Sequence, residues 1–512
     1  MAEARAPRDG VTGLSMLGGL LVCAAALSGY AASTAVEDRR ELILPFTVEV
    51  FLLFGLAGAL VMRDPEGRLR LSNPAVLLIG WMFYYFVKPA LAWMQGYRMA
   101  LESPGTILLD ADTVAQVQYA HCLFALSLYG AFFLVAPAAV PDADPSGKRD
   151  TAIRPIPFLL LGLLPYAMNV VERLVTTGSI VATASYGELT ETGVEDLEAS
   201  RQVGGAGYFV TQVLSKVWYL PVMSLGIGYY ALLARFIRER RRTAQALFFA
   251  QVPLLLLLGN GGRSYTAFPF LMAFILTDAL TKPLRWVRFL PVAAAAIQAF
   301  DFYGVFRGFQ TAGPTAAFAS AMDHYRNEAQ MLNTEDGVML TKEAYCLLLA
   351  RHGTVAKGLS HFFDTVVLLL PAQIAPGKLS LRSTADFLSD ELLGMRRRGS
   401  GVAGTMVGDG FLIDGDWGVP LLGAVLGVIL GLTVRWGYGN GTRPLLWRSI
   451  LMLLITAQTT QYIRADLVVV LTQLLYYVLL PTIVIQLLLS AKVLDRATWE
   501  LPLRTLRSSS SK

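Results

Sequence analysis

The sequence predicts an all-α polytopic integral membrane protein, with about twelve transmembrane helices and one large extracytoplasmic loop that carries short helices. Three observations predict it. Of the 512 residues, 54% are hydrophobic and only 16% are charged, and the mean hydropathy is +0.50. The apolar residues fall in blocks close to the ~20 residues that a helix needs to cross a bilayer. Lysine and arginine concentrate in alternate loops, the pattern that sets orientation. The net charge of +5 comes from those loops, so it reads as an orientation signal and no nucleic-acid partner is expected. Cys23 and Cys122 lie in apolar segments and Cys346 has no obvious partner; neither a disulfide framework nor a metal-ligand spacing is present in the sequence.

Twelve spans are expected, at 11–32, 42–62, 74–94, 114–136, 157–175, 208–234, 244–258, 265–280, 289–304, 417–434, 446–460 and 467–489. The first imitates a signal peptide, because Arg5 and Arg8 precede it and 30–33 could pass for a cleavage site, but it is long for an h-region and is kept as a helix. Basic clusters follow every second span: Arg63, Arg68 and Arg70; Lys148, Arg149 and Arg154; Arg235, Arg238 and Arg240 to Arg242; Lys282, Arg285 and Arg288; Arg435 and Arg443; then Lys492, Arg496, Arg504 and Arg507 in the tail. Both termini are therefore expected in the cytoplasm. Four regions result: 1–302 with spans one to nine, an extracytoplasmic loop at 303–416, spans ten to twelve at 417–490, and a cytoplasmic tail at 491–512. Few ionisable residues are expected in mid-span.

Two arginines stand out. Arg263 follows Gly259, Gly261 and Gly262 at one hairpin tip, and Arg464 sits in the polar turn 458–466 at another. The helices flanking these tips carry about 15 apolar residues, about 23 Å of helix against a hydrocarbon core of about 30 Å. An arginine held at that depth is costly, and a helix start with open backbone N–H groups beside it is an anion site. The loop at 303–416 is too long to lack structure. Helical periodicity runs through 316–350 with a break at 333–337, and 355–370 reads as a helix on or in the outer leaflet. Beyond it lie Pro371, Pro376, Gly377 and Lys378, then Arg382, the basic stretch 396–401, and the glycine-rich 404–418, read as a segment that turns sharply or packs against a ligand.

The tip Gly261-Gly262-Arg263-Ser264, the proline-framed Leu370-Pro371 to Gly377-Lys378, and Gly408-Asp409-Gly410-Phe411 with Gly415 and Gly418 together resemble the Wzy-type polysaccharide polymerases of bacterial envelopes. The resemblance covers roughly 254–480; the third motif departs from the family pattern, which has Glu where this chain has Asp409. It implies a glycosyltransferase of the bacterial plasma (inner) membrane that polymerises undecaprenyl-diphosphate-linked oligosaccharide repeat units into O-antigen, capsule or exopolysaccharide on the outer face. No cofactor and no metal are expected; a chain-length regulator and a flippase are expected partners.

In such a reaction a hydroxyl attacks an anomeric carbon and lipid diphosphate leaves, so cations near the leaving oxygens lower the barrier. Arg263 and Arg464 are the expected diphosphate clamp, because guanidinium forks match phosphate oxygens. Lys378, Arg382, Arg307 and Lys88 are further candidates. His361 is the first candidate for general base, with Asp409 and Glu343 as alternatives. An O-antigen ligase-like transferase shares this donor, and a lipid-linked oligosaccharide transporter shares the span count, although no internal repeat is visible.

Overall fold

The computed structural model describes residues 9–64, 69–97, 109–137, 155–177, 219–239, 263–280, 314–327, 339–352, 360–369, 405–438 and 446–492, with a few isolated positions between them. Among the described residues the chain is helical, with no strand. Among the described residues, six helices are long and apolar enough to cross a membrane. In chain order the helices are α1 (Asp9–Thr34), α2 (Ile43–Arg63), α3 (Pro74–Met94), α4 (Ala111–Val135), α5 (Pro155–Thr177), α6 (Tyr219–Glu239) and α7 (Arg263–Leu280). There follow α8 (Pro314–Asn327), α9 (Met339–Arg351), α10 (Ser360–Leu369), α11 (Met406–Tyr438), α12 (Leu446–Ala457), the single turn α13 (Gln461–Arg464) and α14 (Leu467–Ser490). The expected spans at 244–258 and 289–304 lie almost wholly outside the described residues.

Local sequence sets the ends. Asn73 accepts from the N–H of Ala75 and Pro74 opens α3, so neither the cap nor the first position leaves an unmet donor. Asp110 caps α4 through the N–H of Thr113 at 2.6 Å. In the middle of α3 the backbone widens into a π turn, Phe83–Val87. Such turns re-aim side chains and recur at functional sites; here Tyr84, Tyr85 and Phe86 are all buried.

Packing divides the bundle in two. One core joins α2, α3, α4, α9 and α11 with the start of α14; the other joins α6, α7 and α12, with α5 against α6. Helices α4 and α11 lie in parallel. A methyl group added at Gly423 would sit 2.6 Å from the carbonyl of Phe124, Gly427 lies against the carbonyl of Leu128, and Gly431 lies against Val135. A glycine on each successive turn lets the backbones approach, the usual route to tight association where lipid gives no hydrophobic drive.

Two expectations for the outer loop change. The helical segment at 339–351 is not peripheral. On α9, Met339, Leu340, Thr341, Lys342, Glu343, Ala344, Cys346 and Leu347 are buried, and the helix packs against α3, α4 and α11. Periodicity places a helix but says nothing about what covers it, and α9 is buried on nearly every side. The glycine-rich 404–418 makes the sharp turn expected of it, but within a helix pair and not a loop. Residues 406–413 are helical, the chain breaks at Asp414 and Gly415, and helix resumes through 438. Gly415 has φ +53°, where glycine alone is unstrained. The break folds the two pieces together so that Gly410 meets Val419 and Gly418 meets Gly410 backbone to backbone. These glycines serve contact between helices.

Candidate functional site

Two polar centres flank the π turn of α3. The first is the turn between α12 and α14. Thr456, Gln458, Thr459, Thr460 and Asp466 are buried there. The hydroxyl of Thr460 lies 3.2 Å from that of Tyr85. Tyr85 is about 16 Å from the start of α3, a helix of about 31 Å at 1.5 Å per residue. The tip therefore docks halfway along a full-length span, and Arg464, half-buried, ends α13 at that level.

The start of α14 is held by two carboxylates. Asp466 accepts from the N–H of Val469 at 3.0 Å, and Asp409 of α11 accepts from the N–H of Leu467 at 2.5 Å. Anionic groups at a helix N-terminus satisfy orphan donors and meet the positive end of the helix dipole. The other oxygen of Asp409 accepts from the hydroxyl of Thr384. Asp409 is thus fully buried with both oxygens engaged, tying α11 and the 384 segment to the turn that carries Arg464.

The remaining predicted residues distribute as follows. Arg263 is the first residue of α7, and its side chain lies outside the described residues; α7 packs against α12, which leads into the Arg464 turn. Lys88 directly follows the π turn, one helical turn past Tyr84, with its Nζ 4.4 Å from the centroid of the Tyr84 ring, a cation–π contact close to the same level. His361 stands at the second position of α10, a helix that packs against α11 and α14, and its side chain also lies outside the described residues. Arg307, Lys378 and Arg382 fall outside them altogether.

The second centre was not foreseen. His121 of α4 lies between two carboxylates: Nδ1 is 3.1 Å from Glu49 Oε1 on α2, and Nε2 is 2.7 Å from Glu343 Oε2 on α9. All three side chains are 1% exposed, so the trio is sealed from water on every side. Phe86 lies flat on the imidazole with centroids 3.8 Å apart. Gln118 donates to Glu49 at 3.5 Å. The few ionisable residues in mid-span, Glu49 and His121, therefore meet each other, and His121 is about 15 Å along α4. Glu49 and His121, each alone in an apolar span, were the available signal; their partner Glu343 was hidden because its helix was placed in the loop. Of the three base candidates, Glu343 is the one that the bundle pairs with an imidazole.

Comparison with protein-family models, with curated proteins and with solved structures returns no match to this chain.

Proposed function

We propose that this protein is a membrane glycosyltransferase that polymerises oligosaccharide repeat units carried on undecaprenyl diphosphate, at the outer face of the bacterial plasma membrane. In this reading the chain crosses the bilayer twelve times with both termini in the cytoplasm. The observation that carries it is the docking of the Arg464 turn at Tyr85, midway along α3. A half-buried guanidinium held at that depth, on a turn braced by Asp409, Asp466 and Thr460, is placed to meet an anionic head group. A diphosphate fits its fork, and Arg263, on the helix packed against α12, supplies the second cation.

The acceptor hydroxyl attacks the anomeric carbon of the growing chain, the bond from that carbon to the diphosphate oxygen breaks, and the clamp stabilises the charge on the departing oxygens. His361, on α10 beside α11 and α14, is the base that receives the hydroxyl proton. The decisive experiment supplies purified protein with lipid-linked repeat units. A ladder of products with release of free lipid diphosphate supports polymerisation; a single addition to a lipid A core acceptor identifies a ligase.

One observation favours a second reading. The buried Glu49–His121–Glu343 trio is the kind of group that carries protons in ion-coupled transporters. A lipid-linked oligosaccharide transporter would return its substrate chemically unchanged in the same assay, on the opposite leaflet.

A further inference from the structure

The Glu49–His121–Glu343 trio has a proton count fixed by its geometry. Both ring nitrogens lie within hydrogen-bond distance of a carboxylate oxygen, and each contact needs a hydrogen between its two lone pairs. A neutral imidazole brings one. The second is an additional proton, on the ring or on a carboxyl group. The carboxylates stand on opposite edges of the ring, so no single metal ion can touch all three, and the ligand that fits is H⁺. We infer that Glu49, His121 and Glu343 form an intramembrane proton-binding site, and that the bound proton keeps α9 docked in the bundle.

A second observation supports a site that is built but not saturated. Glu343 Oε1 is buried without a hydrogen-bond partner, as is Oε1 of Gln118. The trio ties together three elements distant in sequence, α2, α4 and α9. Loss of the proton leaves facing lone pairs on at least one side of the ring in a medium where unpaired buried charge costs several kcal/mol. That penalty is relieved when α9 withdraws. Other titratable groups on the packed elements include Cys122 and Tyr129 on α4, Tyr84, Tyr85 and Lys88 on α3, Lys342, Tyr345 and Cys346 on α9 itself, and Asp409 on α11. The imidazole has both nitrogens occupied by Glu49 and Glu343. The inference concerns the fold and holds for a transferase or a transporter alike.

The test uses the full chain in lipid nanodiscs with Cys23 and Cys122 replaced by Ser, leaving Cys346 of α9 as the reporter. Cys346 is fully buried. Glu343→Gln is the reference: its amide donates to Nε2 of a neutral imidazole, keeping both hydrogen bonds with no proton to lose. Alkylation of Cys346 by a membrane-permeant maleimide is measured from about pH 6 to about pH 10, spanning the imidazole and thiol ranges. The ratio of wild-type to Glu343→Gln rate cancels the intrinsic pH dependence of the thiol. The expected ratio is flat at low pH and rises about tenfold per pH unit above the point where the proton leaves. Independently, in 15N spectra of histidine-labelled wild-type protein the His121 resonance, identified by its loss in His121→Gln, should titrate apart from the other three histidines. A ratio that stays flat across the range overturns the inference. So does a His121 resonance that titrates together with the other three histidines.

Discussion

Phe86 lies parallel to His121, with ring centroids 3.8 Å apart and planes 7° from coplanar, and the same π turn directs the neighbouring Tyr85 to Thr460. One widened turn of α3 therefore touches both polar centres of the bundle. Removing His121 alone leaves two carboxylates facing each other in the interior, and breaking a buried charged network in this way costs about 3–5 kcal/mol. His121→Leu should therefore lower the midpoint of thermal unfolding in detergent sharply. Replacing all three members at once, as Glu49→Met, His121→Leu and Glu343→Met, removes the buried charge altogether and should restore most of that loss. A triple variant less stable than the single one would show that the trio contributes more than charge neutralisation.

The parallel seam of α4 and α11 makes a sharper demand. Gly427 lies against the carbonyl of Leu128, so any side chain there pushes backbone against backbone. Gly427→Leu should abolish folded protein, well beyond the about 1–3 kcal/mol of ordinary overpacking. Gly55 of α2 has open space around its Cα, and Gly55→Leu should be tolerated. Size-exclusion profiles of the two variants, purified side by side, read the difference directly.

How far the sequence reached follows from what each signal reports. The ends of α2, α3 and α4 fell within a few residues of expectation because apolar runs, Asn73-Pro74 and Asp110 act locally. The turn at Arg464 was legible because its polar residues interrupt a span too short for the bilayer. Burial of α9 was not legible, since Lys342 and Glu343 look like surface residues until their partners are known. The meeting of Glu49, His121 and Glu343 joins positions 72 and 222 residues apart, and no local pattern encodes it. The glycines of 404–418 were read as a sharp turn or a close approach to a ligand; the turn is at Gly415, and the close approach is to backbone, because backbone and ligand place the same demand on sequence. The repeat of Gly423, Gly427 and Gly431 was readable in principle as a helix seam.

Asp409 and Arg464 should act as a unit. Asp409 anchors the first N–H of α14, three residues after α13 ends at Arg464. Asp409→Ala leaves the Leu467 N–H and the Thr384 hydroxyl without that acceptor, costing about 1–3 kcal/mol each if they stay buried. The turn should loosen, and in the proposed transferase polymer length should fall. Arg464→Ala should remove long polymer outright, and Arg464→Lys should restore little because an ammonium lacks the fork. Adding Asp409→Ala to Arg464→Ala should then cost no further activity. Gel ladders of surface polysaccharide from the four strains decide the matter; full-length polymer from Arg464→Ala would remove the clamp from the mechanism.

Sidedness can be read from the break in α11. Asp414 and Asp416 are exposed at the point where the chain reverses, and Trp417 beside them is 79% exposed, whereas Arg63 ends α2 in the basic stretch assigned to the cytoplasm. Cys346 itself is a poor reporter of topology in the native state, because it is fully buried and should resist aqueous reagents from either side. In a background with all three cysteines replaced by Ser, Asp414→Cys should react with a membrane-impermeant maleimide in intact spheroplasts. Arg63→Cys should react only after lysis. The opposite pattern would invert the bundle and place the Arg464 turn in the cytoplasmic half, where a lipid-linked donor for outer-face polymerisation could not reach it.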